Sequence, residues 1–520
     1  MYKKLFVILF LLVLCIAALS SCNEKHEWSE WELNSSESDN CEDKIYKRYC
    51  FNCNEVQLKE GSHVYSEKIT YDKASHWYEC LECGSKKDEA SHTFEENFCT
   101  KCEYVIHPTE GIIYEVSEDG TYAIVVGYQG TENEMIIANR YNGLPVTAIG
   151  ERALFRCGAN LTSVVIPDSV TTIGEGAFTS CISLTSVVIG DSVTSIGNYA
   201  FYYCKSLISV VIPDNVTTIG ECAFNECDSL VGVVISNNVN SIGYGAFASC
   251  DSLTSVTIPD DVTSIGHGAF AGCIRLTSIT VNANNQYYKS IDGNLYTKDG
   301  TTLIQYAIGK EDTSFEIPYG VTSIDQYAFY NCDSLTSVAI PDGVTSIDYK
   351  AFCDCNSLAS ITVDENNQHY KSIDGNLYTK DKTTLIQYAI GKKDTSFEIP
   401  DSVTYIGDYA FSYCHSLARV DIPDSVTYIG GSAFHDCDRL ASIVIGKSVT
   451  TIDNFAFYSC DSLKDVYYVG SEEQWKKISI DFYCNWDPTN TTCYYYSETE
   501  PTEDGNFWHW GENGEVVVWE

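Results

Sequence analysis

The sequence predicts a mainly β repeat solenoid of stacked short parallel strands and short helical turns. Two inserted β-hairpins interrupt it, and a small N-terminal Cys/His module precedes it. Three observations carry this reading. One phrase of about 23 residues recurs eleven times, as in VTTIGEGAFTSCISLTSVVIGDS at 170–192 and VTSIGNYAFYYCKSLISVVIPDN at 193–215. Apolar columns recur with it: an Ile column from Ile149 to Ile452, a Phe column read as Phe155 to Phe457, a Cys column from Cys157 to Cys460 and a Leu column from Leu161 to Leu463. The step stretches to 59 residues twice, at Cys273–Cys332 and Cys355–Cys414, and the added segments 284–318 and 366–400 are near copies 82 residues apart. Self-similarity at this period marks units too small to fold alone, which share one continuous core.

Taken from the N-terminus, the first element is an export signal. Lys3 and Lys4 precede an apolar run from Leu5 to Leu19 that is too short to span a bilayer. Leu19-Ser20-Ser21-Cys22 resembles the bacterial lipoprotein cleavage box, which implies lipid on Cys22 and an anchored rather than a spanning chain.

The next stretch holds three CxxC pairs, Cys50/Cys53, Cys80/Cys83 and Cys99/Cys102, with His63, His76 and His92 nearby. A CxxC puts two thiolates on one tight turn, as one edge of a tetrahedral zinc site requires. Structural zinc is therefore one reading, and it resembles small zinc-ribbon-like repeats of bacterial envelope proteins. Disulfides are its rival, because exported cysteines commonly pair, although seven Cys from Cys41 to Cys102 leave one over. A redox CxxC lacks its βαβ setting here.

A hairpin over Ile112–Val116 and Thr121–Gly127 is expected to cap the coil. Each rung then reads as two strands, of the type Ser163–Ile166 and Val170–Ile173, β-branched and alternating with polar residues. Pro167-Asp168 marks the turn between them. The Gly-x-x-Ala-Phe segment that follows has room for one helical turn. Each inserted segment contains two strands, Asn294–Thr297 and Thr302–Tyr306 in the first, and reads as a hairpin standing off the coil. The column cysteines read as buried thiols, Cys222 and Cys353 as exposed ones, and Cys484 with Cys493 as a bridge in the C-terminal cap. A short helix is expected around Glu472–Ile478 and a hairpin or a mobile tail around Asn513-Gly514.

The resulting division is 1–21 signal peptide, 22–49 tether, 50–105 Cys/His module, 106–150 β cap, 151–463 solenoid with insertions 284–314 and 366–396, and 464–520 cap and acidic aromatic tail.

The "IG..AF..C..L.SV.IP" rung and the "DGNLYTKD.TTLIQY" insertion together resemble the BspA-type leucine-rich repeat family of bacterial surface proteins, over roughly 112–495. The resemblance implies a leucine-rich-repeat solenoid on the cell envelope, outside the cytoplasm, with binding or adhesion as its role. It names no ligand.

The formal charge is −40, and removing residues 1–21 with their two lysines takes it to about −42. A chain this acidic repels nucleic acid and anionic lipid. No phosphate loop, nucleophile elbow or HExxH is present, so an enzyme is not expected.

The positions free to vary between rungs flank the Ala-Phe step and the Cys. Many hold tyrosine: Tyr199, Tyr202, Tyr203, Tyr244, Tyr327, Tyr330, Tyr349, Tyr409, Tyr413 and Tyr458. Tyrosine supplies contact area and a hydroxyl at little entropic cost, as in binding loops. The inserted segments add Tyr287, Tyr288, Tyr296, Tyr306, His369, Tyr370, Tyr378 and Tyr388. The expected function is recognition of an extracellular protein, on matrix or on a host or neighbouring cell. A structural, self-associating envelope spacer and a polysaccharide-binding module are the alternatives.

Overall fold

The computed structural model describes residues 108–520, apart from 158–159, 482–490, 503 and 520, together with the backbone of eight short strands between Glu32 and Cys99. The chain divides into two compact units, Met1–His107 and Pro108–Glu520. In the first unit, Glu32–Ser35, Ile45–Tyr49 and Val56–Glu60 form one antiparallel sheet, and Tyr65–Tyr71, Ser75–Cys80 and Lys86–Ser91 form a second.

In the second unit two parallel ladders run along the coil. One stacks Ser163–Val165, Ser186–Val188, Ser209–Val211 and Gly232–Val234. The other stacks Thr172–Ile173, Ser195–Ile196, Thr218–Ile219, Ser241–Ile242 and Ser264–Ile265, with isoleucine opposite isoleucine. In-register parallel pairing sets each residue about 4.8 Å from its equivalent, so the columns stack on themselves. Phe178 and Phe201 lie 4.9 Å apart at 3°, Phe201 and Phe224 5.1 Å apart at 5°. Each buried ring contributes about 1.5–3 kcal/mol of transfer free energy. No rung could bury these rings without its neighbours.

The first rung corrects one column. Phe155 is 44% exposed and Leu154 is buried in its place. The 24-residue first step arises after Cys157, so Leu154, not Phe155, lines up with Phe178.

The cysteine column is buried and free of disulfides. Its thiols make a ladder of their own. Cys204 Sγ donates to the Phe178 carbonyl at 3.2 Å, Cys227 to Phe201 at 3.3 Å, Cys250 to Phe224 at 3.2 Å and Cys437 to Phe411 at 3.1 Å. The Phe178, Phe201 and Phe411 carbonyls already accept the N–H of Cys181, Cys204 and Cys414, and the S–H of a small apolar side chain takes the second lone pair. Cys222 and Cys353, expected to be exposed, are buried.

The insertions depart most from expectation. Each has an extra strand, Tyr288–Ile291 and Tyr370–Ile373, antiparallel to Asn294–Thr297 and Asn376–Thr379. The last strand of each does not stand off the coil but joins it. Thr302–Gln305 pairs in parallel with Ser323–Ile324, and Tyr306 N–H donates to the Ala328 carbonyl, as a column phenylalanine would. The Tyr306 ring stacks on Phe329 at 5.4 Å, and Tyr388 on Phe411 at 5.1 Å. Tyr288, Tyr296, Tyr306, Tyr378 and Tyr388 are consequently core residues, not ligand-facing ones. Tyr287 and His369 are exposed and Tyr370 is half-buried.

Buried Asn285 fixes the start of the first insertion. Its amide donates to the Pro259 and Val262 carbonyls, and its oxygen accepts from Tyr287 and Tyr288 N–H. Asn367 repeats this set with Pro341, Val344, His369 and Tyr370. The insertions divide the core into three clusters, from Ala123 to Ile304, Tyr296 to Leu377 and Tyr378 to Tyr468.

At the N-terminal end, Ile112–Val116 and Ala123–Tyr128 form an antiparallel pair that adds onto Leu144–Ile149. At the other end Ser471 and Gln474 form a capping box on the helical turn Glu472–Trp475. The tail closes as a hairpin of Phe507–Trp510 with Val516–Val518. Trp508 is buried and donates its indole N–H to the Tyr468 carbonyl at 2.9 Å. Cys493 is a half-buried free thiol, and Cys484 lies outside the described residues.

Candidate functional site

Between the isoleucine and the cysteine of each rung the chain makes a tight arc, Gly-x-x-Ala-Phe-x-x-Cys. The arc is its own hydrogen-bonded stack. Tyr199 N–H donates to Glu221, Phe201 to Ala223 and Tyr203 to Asn225, each acceptor lying one rung further on. To turn alternate N–H groups toward the next rung, two residues per arc take left-handed backbone. The residue before the alanine has φ between 50° and 63° in all eleven rungs: Arg152, Gly176, Tyr199, Cys222, Gly245, Gly268, Tyr327, Lys350, Tyr409, Ser432 and Phe455. The residue before the cysteine does the same, from Arg156 and Ser180 to Tyr413, Asp436 and Ser459. Glycine takes this conformation freely, while a bulky side chain costs about 1–2 kcal/mol.

The ten sequence-selected tyrosines all lie on this arc, and none is buried. They gather in four groups. Tyr199 and Tyr202 meet edge-on at 5.9 Å beside Tyr203, and Tyr202 Oη donates to Glu226 Oε1 at 3.1 Å. Tyr244, Tyr327 and Tyr330 form the second group, with the Tyr244 and Tyr327 hydroxyls 3.0 Å apart. Tyr349 and Tyr409 stack at 6.2 Å, and the Lys350 ammonium lies 4.2 Å from the centre of the Tyr409 ring. Tyr413 and Tyr458 flank His435 at 5.6 and 5.2 Å. Burial and the neighbouring phenol raise the Tyr244 pKa, and burial and the Glu226 carboxylate raise that of Tyr202. Both hydroxyls stay protonated donors.

The inserted rung is short at the arc. Tyr306 follows Leu303 by three positions, where Phe329 follows Ile324 by five. The arcs on either side therefore enclose a notch of about 230 Å³. Its lining includes Gly245, Ala248, Ser249, Gly268 and Ala271 as a small-residue floor, with Tyr244, Tyr327, Tyr330 and Glu226 around them. His267 and Asp325 also bridge the insertion, with Nδ1 to Oδ1 at 2.6 Å.

The sequence signature of the BspA type Leucine rich repeat region matches residues 147–277, 308–387 and 387–490, in six copies. The chain belongs to this family. BspA-type repeats also align with solved structures. A leucine rich cell surface protein from Faecalibacterium prausnitzii is 32% identical over 72% of this chain and 97% of that one, with a TM-score of 0.47. The pneumococcal vaccine antigen PcpA is 22% identical over 75% and 93%, at 0.48. A leucine-rich repeat protein from Bacteroides ovatus is 24% identical over 76% and 99%, at 0.38. No curated protein matches.

The remaining candidates fall outside the BspA-type region. Cys22, Cys50, Cys53, Cys83, Cys102, His63 and His92 lie outside the described residues, as do the side chains of His76, Cys80 and Cys99. Among the described residues no helix is long and apolar enough to cross a membrane, and no His/Cys/Asp/Glu cluster is placed to hold a metal. Sequence reasoning missed one surface of the BspA-type coil. Val188, Val211 and Val234 on one ladder, with Ile208 and Val231 beside them, are all exposed. The signal was the third position of Ser-Val-Val, which points away from the core side.

Proposed function

We propose that this chain is a cell-surface lipoprotein, held to the membrane by lipid on Cys22, whose tyrosine-rich arc binds a protein of a host or neighbouring cell. The observation that carries the reading is the placing of Tyr199, Tyr203, Tyr327, Tyr409 and Tyr413 at left-handed backbone. Bulky residues held in strained conformations mark functional surfaces. The fixed columns already fill the core, and glycine serves the same turn at Gly176, Gly245 and Gly268, so the arc itself does not need tyrosine there. A repeat coil of this kind offers an extended recognition surface rather than a deep catalytic pocket.

The test is a binding screen of the immobilised mature chain against matrix proteins, envelope polysaccharides and itself. Saturable capture of one protein class, lost when Tyr199, Tyr202 and Tyr203 become Ser, is the expected result. Capture of polysaccharide alone, or of a second copy alone, would replace this reading with a sugar-binding or a spacer role.

For the Cys/His module we propose structural zinc held by cysteine and histidine. Metal analysis of the full chain should find one or more zinc ions, released by chelator with loss of the module's fold. Metal-free, oxidised and folded protein would establish disulfides instead.

A further inference from the structure

The two insertions arose from one 82-residue duplication, so each notch has a counterpart residue by residue. Adding 82 takes Gly245 to Tyr327, Gly268 to Lys350 and Tyr327 to Tyr409. At the second insertion the corresponding place is taken by the Lys350 side chain. Its ammonium sits 4.2 Å from the Tyr409 ring centre and 3.3 Å from the Tyr327 hydroxyl. In the first notch the counterpart of Lys350 is Gly268, which has no side chain. The counterpart ring, Tyr327, is present: its Cδ2 lies 3.0 Å from where a Cβ on Gly268 would stand. Tyr244 and Tyr330 add two more rings, and Glu226 adds a carboxylate where the residue 82 positions on, Ile308, has none.

We propose that the first notch is a receptor for a lysine or arginine side chain of the protein ligand, which takes there the place that Lys350 takes in the second notch. An ammonium or guanidinium over an aromatic face is attracted by the ring quadrupole, and a carboxylate alongside strengthens the attraction. The charge of −40 on the whole chain draws such a partner in. The backbone is equally suited at both positions, with φ at +62° for Gly268 and for Lys350. The chain thus carries the same turn and ring twice, once with its own lysine at the turn and once with glycine there. This proposal rests on the reading of the arc as a protein-binding surface and names the side chain it takes.

The probe is N-acetyl-lysine amide, with N-acetyl-arginine amide beside it and N-acetyl-norleucine amide as the uncharged control. Each is titrated onto the full chain by ligand-observed saturation-transfer NMR. The lysine amide is expected to bind at least tenfold more tightly than the norleucine amide. Gly268→Lys should abolish that binding by filling the seat from within, and Lys350→Gly should open a second site. Glu226→Gln should weaken binding several-fold, and it decides the matter if Gly268→Lys does not melt cooperatively.

Equal binding of the charged and uncharged amides, or unchanged binding by Gly268→Lys in folded protein, would overturn the proposal. Ser at Tyr199 and Tyr203 alone, with Tyr202 kept on Glu226, leaves the residues of this seat unchanged. If that variant loses partner capture while wild type fails to bind the amines, the arc reading stands and the cation seat falls.

Discussion

The Tyr288 hydroxyl accepts the backbone N–H of Ile265 at 2.9 Å, and it reaches the Thr263 carbonyl at 3.4 Å. In earlier rungs these groups pair with the next strand: Thr263 N–H itself donates to Asn240, one rung back. The sheet stops at Ser264–Ile265, and one phenol stands in for the missing backbone. Tyr370 does the same at the second insertion, reaching the Thr345 carbonyl at 3.3 Å. An open strand edge is a liability, and here a side chain closes it.

Removing that hydroxyl leaves a backbone donor unpaired. Tyr288→Phe should cost about 1–2 kcal/mol in urea denaturation. Tyr287→Phe, one residue earlier and exposed, should change nothing. Equal effects from the two would show that the hydroxyl does not close the edge.

The left-handed columns predict a separation of stability from binding. At Tyr199, φ 56°, glycine relieves the backbone while giving up some entropy, and the two effects nearly offset. Tyr199→Gly should shift stability by no more than about 1 kcal/mol while weakening ligand capture. A loss of several kcal/mol would mean that Tyr199 is a packing residue.

The thiol ladder predicts chemical silence. Burial pushes Cys157 up to about 11 and Cys181 up to about 12, so thiolate is scarce at neutral pH. In native protein the column thiols should react with an aromatic disulfide reagent only at the rate of unfolding. Cys227→Ala should cost about 1–3 kcal/mol, through a small cavity and the loss of one of the two donors to the Phe201 carbonyl, which keeps the Cys204 N–H. Fast labelling of the column in folded protein would contradict the ladder.

His435 predicts a pH dependence. Burial holds its imidazole below the ordinary 6.5, with Asp436 acting against the shift and Lys350 adding to it. The unfolded chain therefore takes up the proton first as pH falls. The contribution is full above about pH 6.5 and is lost progressively below it, until the folded-state value is passed. Denaturation at about pH 7.5 and about pH 5.5 should show a smaller loss in His435→Asn than in wild type. An identical loss would remove His435 as a cause.

The columns were legible because each rung repeats the same burial at the same step, and periodicity is what a single sequence displays best. Ile173, Phe178, Cys181 and Leu184 could be assigned to the core unaided. The inserted rung was hidden because its Leu303-to-Tyr306 spacing is two residues shorter than the repeat, and a tyrosine fills the phenylalanine's place. Phe155 misled for a related reason: an extra residue after Cys157 moved the column by one, to Leu154. The left-handed positions carried no signal, since Arg152, Tyr199, Cys222 and Lys350 are residues that turn chemistry does not predict there. The tyrosines of the arc were found from their variability between rungs, but their grouping, and the notch beside Gly268, depend on the short rung that the sequence concealed.

The division of the core into three clusters has a mechanical consequence. Rungs exchange stabilising contacts only with their neighbours. The unbroken phenylalanine stack from Phe178 to Phe270 ends at one insertion, and a new stack begins at Tyr306 and another at Tyr388. Under tension along the coil, these joints are expected to part first. Extension would then come in a few discrete steps, each shedding one segment and dissipating work, while the segments beside it keep their shape.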